Sequence, residues 1–340
     1  MAFALRNDKY DNSLNMSKPV ILHTAHYIGI PWEILKSVVP NGFDVKTLDE
    51  LSYDCLLRQT EDADYLLVSG RLPIDEGVLS AAKHLKMIQR TGVGTEMLDI
   101  EAIKSHRIPI YVNAGVNAQS VAEHTLTLML AALKRLPQIN VQTHNGVWKK
   151  QQVGVTTHEL RGKIVGLVGM GNIGHLVAAM LQPFGAKVLY TDVFRQNEEV
   201  ENNLGLTYCD GFEAMLPQCD ILSFHCPLTR DNTEMLNKET LAMMKRGAIV
   251  VNTARGKLIN PVDLYEAVKS GRLSAAALDT HYEEPLKEDY KLAELDNVIL
   301  TPHIGGLSHE AFHQMMKDAV ENIVAFEDGK LAEIESKRIL

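Results

Sequence analysis

The sequence predicts an α/β protein built from two doubly wound parallel-sheet domains with a cleft between them. Three observations predict it. At 340 residues and 37.8 kDa the chain exceeds what one comfortable core holds, which points to two domains. Short apolar segments alternate with stretches of helical periodicity, the pattern of βα units and a parallel sheet. After about residue 113 that alternation stops and then begins again, so the unit occurs twice.

Taken in order, MAFALRNDKYDNSLNMSK mixes charges and asparagines with an apolar run too short for a signal peptide, and residues 1–18 are expected to be a loose tail. From Pro19 to about Asn113 the strand candidates are VILHT, FDVKTL, YLLVSG, LKMIQRTG and IPIYVNAG, with the helical DEGVLSAAKHL after the third. SVAEHTLTLMLAALKRLP follows, a long buried helix opening on Ser120 with Glu123 three residues on, which predicts a capping box. Its apolar surface is covered either inside the domain or by a second subunit; His124 within it reads as structural. The second series is KIVGLVG, KVLYTD, ILSFHCP, AIVVNTA, AAALDT and NVILTPH, with helical spacing in PVDLYEAVKSGRL. Ile164–Leu181 is mostly apolar, but its three glycines, Asn172 and His175 favour strand, turn and helix over a membrane span. From about Ser308 an amphipathic helix runs towards Gly329 and is expected to return to the first domain. The expected boundaries are 19–115 plus 307–335 for one domain and 116–306 for the other.

Composition narrows the function. With 46% hydrophobic and 23% charged residues the chain has an ordinary soluble balance, and a net charge of -9 gives neither nucleic acid nor an anionic membrane any electrostatic attraction. Cys55, Cys209, Cys219 and Cys226 lack paired spacing and read as reduced thiols, which favours the cytoplasm. No histidine-cysteine spacing suggests zinc, so no metal is expected.

The chemistry lies in the second series. GLVGMGNIG follows a strand and opens a helix, with Gly169, Gly171 and Gly174 in the GxGxxG positions: tight turn, close approach of a pyrophosphate, and close helix–strand packing. The next strand ends at Asp192, where a carboxylate accepts hydrogen bonds from a ribose diol and repels a 2′-phosphate, so NAD is expected and NADP disfavoured. Arg195, three residues on, reads as a solvated surface arginine rather than a phosphate ligand. Arg255 follows AIVVNTA at a strand's carboxyl end, where open α/β sheets bind ligands, and its planar fork suits a carboxylate. His303 follows NVILTP before paired glycines; hydride addition to a keto acid leaves an alkoxide that needs a proton, and histidine titrates in the right range. A carboxylate against that imidazole, supplied by Glu284, favours its protonated form.

RTGVGTEMLD, NAQSVAEHTL, ELRGKIVGLVGMGNIG, HCPLTRDNTEMLN, KRGAIVVNTARGKLIN, AAALDTHYEEP and NVILTPHIGG stand in the order and spacing of a known family. Over about residues 65–310 the chain resembles the D-isomer-specific 2-hydroxyacid dehydrogenases, which include glyoxylate and hydroxypyruvate reductases, D-lactate dehydrogenases and D-3-phosphoglycerate dehydrogenases. The resemblance implies a flavodoxin-like substrate domain and a Rossmann NAD-binding domain that supplies a homodimer interface. It implies that Arg255 binds the substrate carboxylate, His303 is the acid/base and Glu284 keeps His303 charged. Asn172 and Ile173 would offer amides to the pyrophosphate, Asp192 would bind the ribose, and Cys226 and Pro227 would line the adenine side. Thr253 and Asp279 would contact the nicotinamide carboxamide, and Ser69, Gly70, Val93 and Gly94 would complete the carboxylate pocket.

Two departures stand out. Thr95 and Glu96 replace a usual Asp-Asn pair beside the substrate loop, and Thr280 and His281 replace Val-Phe at a strand end. Arg90 resembles a basic residue that some phosphoglycerate dehydrogenases place near the phosphate. The implied activity is the NAD-dependent interconversion of a short 2-keto acid and its D-2-hydroxy acid. Two alternatives are a phosphoglycerate dehydrogenase-type enzyme and an NAD(H)-sensing corepressor-like scaffold. The implied glutamate disfavours formate dehydrogenase, which has glutamine there.

Overall fold

The structure is a computed structural model that describes residues 18–340; apart from Lys18, the expected tail lies outside the described residues. In chain order come β1 (Val20–His23), α1 (Ile30–Val38), β2 (Asp44–Thr47), α2 (Tyr53–Thr60), β3 (Tyr65–Val68), α3 (Glu76–Ala81), β4 (Met87–Arg90), α4 (Ile100–Ser105) and β5 (Ile110–Tyr111). Three helices follow, α5 (Ala118–Lys134), α6 (Leu136–His144) and α7 (Lys150–Gly154). Next are β6 (Ile164–Val168), α8 (Asn172–Leu181), β7 (Lys187–Thr191), α9 (Glu198–Leu204), β8 (Leu206–Tyr208), α10 (Phe212–Met215), β9 (Ile221–Phe224) and α11 (Lys238–Met243). The chain closes with β10 (Ala248–Asn252), α12 (Pro261–Lys269), β11 (Leu273–Leu278), β12 (Val298–Leu300), α13 (His309–Glu327) and α14 (Leu331–Ile334). It divides into two compact units: the described residues up to Val116 together with His309–Leu340, and Asn117–Ser308.

Unit 1 holds a five-stranded sheet in the order β2-β1-β3-β4-β5, every pairing parallel. Side chains along a strand alternate between faces, so a strand covered on both sides is apolar throughout. Ile21, Tyr65, Leu67 and Met87 join one core cluster, while their neighbours Leu22, Leu66, Val68 and Ile88 join the other. Asp75 and Asp99 cap α3 and α4 by accepting from Val78 and Ala102 amides, each satisfying one backbone donor that a helix start leaves over.

Helix α13 belongs to this unit for two reasons. Its apolar face, Met315, Met316, Ala319, Val320 and Ile323, enters the first cluster. Its one buried polar residue in that stretch, Asn322, is fully used: the amide donates to Gln89 and Asn113 side-chain oxygens at 3.1 Å each, and its own oxygen accepts from Lys337 Nζ at 2.7 Å. A satisfied buried network of this kind fixes register where apolar contact alone would not.

Unit 2 carries seven parallel strands in the order β12-β11-β10-β9-β6-β7-β8. The strand order reverses between β6 and β9, the topological switch point where such sheets bind ligands. Ile164–Leu181 is strand, turn and helix, as its glycines predict. β8 was not legible: it is a three-residue edge strand with only Leu206 buried, too short for any period to show.

Helix α5 corrects the expected capping box. The helix begins at Ala118 after Asn117 and has no side-chain cap. Ser120 lies inside it and donates instead to the Gly305 carbonyl at 2.7 Å while accepting from Ser308 N at 3.3 Å. A tertiary partner has taken the hydroxyl that the sequence pattern assigns to the helix end. The apolar face is covered within the unit, since α5 packs on α8, β10 and β11.

Candidate active site

The glycine turn after β6 is shaped by what it excludes. Gly169 has φ +101°, and a Cβ there would lie 2.7 Å from the His225 carbonyl carbon; a Cβ on Gly174 would lie 2.4 Å from the Gly169 oxygen. Neither position admits a side chain. Gly171 differs, because a Cβ there would meet nothing within 4 Å. It is the N-cap of α8 and offers no side chain to cap it, so the helix begins at the exposed Asn172 with its first-turn amides left without a side-chain acceptor. That is a cradle for an anion.

Asp192, just past β7, is drawn against this turn: its carboxylate accepts from Met170 N at 2.5 Å and from Phe194 N at 3.2 Å. Cys226 and Pro227 lie after β9, across the switch point, where Asn232 donates to the Pro227 carbonyl at 2.8 Å. Burial pushes the Cys226 thiol up to about 11, so this loop carries no thiolate. The residues therefore fit a dinucleotide, with anion cradle, carboxylate and neutral wall at one strand-end cluster.

Three neighbouring strands, β10, β11 and β12, bring the catalytic candidates to the same edge of the sheet. Arg255 follows β10. Gly256 beside it is buried against the β11 loop so closely that a Cβ would lie 2.0 Å from the His281 carbonyl carbon and 2.5 Å from Tyr282 N. Only glycine permits that approach, which places the arginine beside the loop that carries Glu284. Asn252 ties the turn from below, donating to the Arg255 carbonyl at 2.8 Å and accepting from Ala254 N at 3.0 Å. Thr253 is buried and shares a 2.8 Å hydroxyl contact with Thr125 of α5.

His303 and Glu284 touch. The distance from His303 Nδ1 to Glu284 Oε2 is 2.7 Å, with the two side chains 48% and 37% exposed. The second carboxylate oxygen, Oε1, accepts from His281 N at 2.9 Å, which orients the carboxylate. This hydrogen bond is the main cause that raises the His303 pKa above the ordinary histidine range, against burial and the nearby Arg255 charge, which lower it. For Glu284 burial pushes upward, but His303 and the His281 amide outweigh it and the carboxyl stays below its usual range. Because Nδ1 faces a carboxylate, it carries a hydrogen, and Nε2 is the position free to exchange a proton.

The His303 loop has a foundation that motif reading did not separate. Asp279, 1% exposed, accepts from Thr301 Oγ1 at 2.6 Å, Ile304 N at 3.0 Å and Gly305 N at 2.8 Å. His124 Nε2 stands 3.4 Å from the same carboxylate. Burial raises the Asp279 pKa, yet the hydrogen bonds from His124, Thr301 and the two amides overcome it and hold the carboxyl well below its usual range. His303 itself has φ 55°, a left-handed conformation that a residue with a side chain adopts only when its surroundings impose it. The two glycines that follow have the tight packing that imposes it: Cβ atoms there would fall 2.9 Å from Asp279 Oδ2 and 2.4 Å from Asn117 Nδ2.

His281 is the residue that motif reading met only as a departure. It is 6% exposed, its ring sits edge-on to Tyr290, and its Nε2 donates to the Thr301 carbonyl at 2.8 Å. Its Nδ1 is buried without a partner. The signal was the polar residue at a strand end where the family has phenylalanine.

In unit 1, Ser69, Gly70, Val93 and Gly94 are gathered by Arg90. This guanidinium, on a residue 8% exposed, donates to Val68 O at 2.8 Å and Gly94 O at 2.6 Å. Gly70, φ +82°, lies so close that a Cβ would stand 2.8 Å from both terminal nitrogens. Ser69 bonds to Thr24 through its amide at 3.1 Å and its hydroxyl at 3.2 Å. Arg90 is thus a staple between two loops, and this is what sets it apart from an arginine held out for a phosphate. Val93 remains 52% exposed.

Residues 126–305 match the family described as "D-isomer specific 2-hydroxyacid dehydrogenase, NAD binding domain". The chain is 34% identical over 328 residues to a glyoxylate reductase from Aeropyrum pernix, covering 93% of this chain and 95% of that protein. It is 36% identical over 290 residues to a D-3-phosphoglycerate dehydrogenase from Archaeoglobus fulgidus; the match covers 85% of this chain but only 54% of that longer relative. Among solved structures, D-lactate dehydrogenase from Aquifex aeolicus, complexed with NAD and lactic acid, superposes with a TM-score of 0.80 at 27% identity, covering 94% of this chain and 98% of that one.

Proposed function

The chain belongs to the D-isomer specific 2-hydroxyacid dehydrogenase family, and from that premise we propose that it interconverts a short 2-keto acid and its D-2-hydroxy acid with NAD as cofactor. The observation that carries this reading is the 2.7 Å His303–Glu284 pair, formed between the segments after β12 and β11, with Arg255 after the adjoining β10. Bound NADH supplies the hydride that reduces the carbonyl carbon. Arg255 holds the substrate carboxylate in its fork and turns the carbonyl oxygen towards His303. His303 gives that oxygen its proton from Nε2, and Glu284 stabilises the charged imidazole before the proton leaves. In the oxidative direction the neutral ring takes the proton back.

Asn172 and Ile173 offer their amides to the pyrophosphate, Gly169 and Gly174 keep the turn tight, and Asp192 accepts from the ribose, which favours NAD over NADP. Cys226 and Pro227 line the adenine side, and Thr253 and Asp279 the nicotinamide end. We assign Ser69, Gly70, Val93 and Gly94 to the substrate carboxylate. We also propose a cytoplasmic homodimer formed through unit 2: helix α6 buries none of its residues, and Leu136, Val141, Trp148 and Val155 are 57%, 57%, 81% and 82% exposed. Sedimentation velocity checks that state. Among the described residues no helix is long and apolar enough to cross a membrane.

The test is NADH oxidation with glyoxylate, hydroxypyruvate, pyruvate, phenylpyruvate and 3-phosphohydroxypyruvate. Turnover with at least one is expected; the last separates the phosphoglycerate dehydrogenase-type alternative. Tight NAD binding with no turnover on any of them would overturn the enzymatic reading in favour of a cofactor-sensing scaffold.

A further inference from the structure

Arg195 lies three residues beyond Asp192, on the loop that follows a cofactor-binding strand, where an arginine accommodates a 2′-phosphate. One edge of its fork is already filled. Nε donates to Glu201 Oε1 and one terminal nitrogen to Glu201 Oε2, both at 2.9 Å, a bidentate charge-assisted pair. The guanidinium also lies over the Tyr208 ring, 5.3 Å from its centroid.

Glu201 is held from a second side. Tyr190, within β7, donates its hydroxyl to Glu201 Oε1 at 2.6 Å and accepts from Gln196 N at 2.9 Å, so strand, loop and helix α9 lock together around one carboxylate. The Glu201 side chain is 11% exposed, against 60% for Arg195. Arg195 and Tyr190 hold its carboxyl down to about 2, so it is charged wherever the protein is folded and working. Helix α9 places Glu198 and Glu199 in the same first turn, which adds negative charge beside the loop.

A 2′-phosphate taking the paired edge of the fork would have to break two charge-assisted hydrogen bonds and leave a mostly buried carboxylate without its cation, and one approaching the outer N–H groups would meet a guanidinium whose charge Glu201 already neutralises. Resting on the reading that unit 2 binds NAD, we propose that Glu201 is a cofactor-specificity residue: by sequestering Arg195 it denies a 2′-phosphate the cation of that loop, and so completes the selection that Asp192 begins. Asp192 repels the phosphate. Glu201 removes its only nearby compensation on that loop.

The experiment is calorimetric titration of 2′,5′-ADP and 5′-AMP onto wild type, Asp192→Ser, Glu201→Gln, the Asp192→Ser/Glu201→Gln double variant, and that double variant with Arg195→Ala. Thermal melts report whether each is folded. The double variant is expected to bind 2′,5′-ADP at least about tenfold more tightly than Asp192→Ser alone, the difference one freed charge-assisted contact makes. Adding Arg195→Ala is expected to erase that gain. NADPH turnover, relative to NADH, should follow the same order. A double variant no better than Asp192→Ser, or a gain that survives Arg195→Ala, would overturn the inference while leaving NAD binding intact. Wild type that binds neither 5′-AMP nor NADH would overturn the cofactor reading, and this inference with it. Should Glu201→Gln fail to fold, Glu201→Asp, which shortens the reach to Arg195, carries the same comparison.

Discussion

Replacing Glu284 with glutamine removes one charge and little else. The side chain keeps its shape, and its amide oxygen still accepts from His303 Nδ1 or from the His281 amide, the two contacts at 2.7 and 2.9 Å. A hydrogen bond between charged groups is worth about 1.5–3 kcal/mol, and partners this exposed, 48% and 37%, are screened towards the lower figure. About 1.4 kcal/mol is a factor of ten in the ratio of protonated to neutral imidazole. The sign follows from the direction of the shift: Glu284 raises the His303 pKa, so its loss lowers it. Keto-acid reduction needs protonated His303; its alkaline limb should therefore move to lower pH, with kcat/KM falling about tenfold above that limb. At acid pH, where both proteins hold the proton, the reduction rates should converge. Oxidation of the hydroxy acid needs the neutral ring, so its acid limb should also move to lower pH, and the variant should gain on wild type there. The assay is kcat/KM against pH in both directions. Limbs that stay in place, with equal losses in both directions at every pH, would refute the reasoning and leave Glu284 a purely structural residue.

Arg255→Lys keeps the charge and loses the fork; kcat/KM should fall about tenfold to a hundredfold, with KM for the keto acid carrying most of it, as steady-state kinetics would show. Asp279→Asn turns one acceptor into a donor facing the Ile304 or Gly305 amide, at a cost of about 2–3 kcal/mol, so Tm should drop by about 5 °C or more and kcat should fall with it. Because the folded-state pKa of Asp279 is depressed, its contribution is present above the ordinary aspartate range and is lost on acidification; the Tm gap should narrow as pH falls. His281→Phe loses the bond to Thr301 O but also removes an unpaired buried nitrogen, so stability should stay within about 1 kcal/mol while the less firmly held His303 loop slows turnover about twofold to tenfold. A loss of stability above that limit without a change in turnover would contradict the positioning role.

The central strands of both sheets were legible because they are covered on two faces, and continuous apolar runs such as YLLV and AIVVN mark them without ambiguity. β8 escaped because an edge strand of three residues has no such run. The strand-end trio was legible because arginine, glutamate and histidine at the ends of apolar runs are expensive to place without a purpose. What holds it was less so: Asp279 beneath the His303 loop and Gly256 against the His281 carbonyl are contacts between segments distant in sequence. Ser120 shows the converse, where a sound local pattern yields to a tertiary partner.

That same serine has a consequence for how the polypeptide is assembled. Its hydroxyl joins Gly305 and Ser308 to the start of α5, and Gly306 packs on Asn117, so unit 2 begins and ends at one spot. Residues 117–308 are, for unit 1, a closed insertion. Left open, a loop that long would cost about 2–3 kcal/mol more to close than a ten-residue turn; once unit 2 has folded, that entropy is already spent. Helix α13 is handed back where the chain departed, and two nested modules can form in sequence, inner before outer.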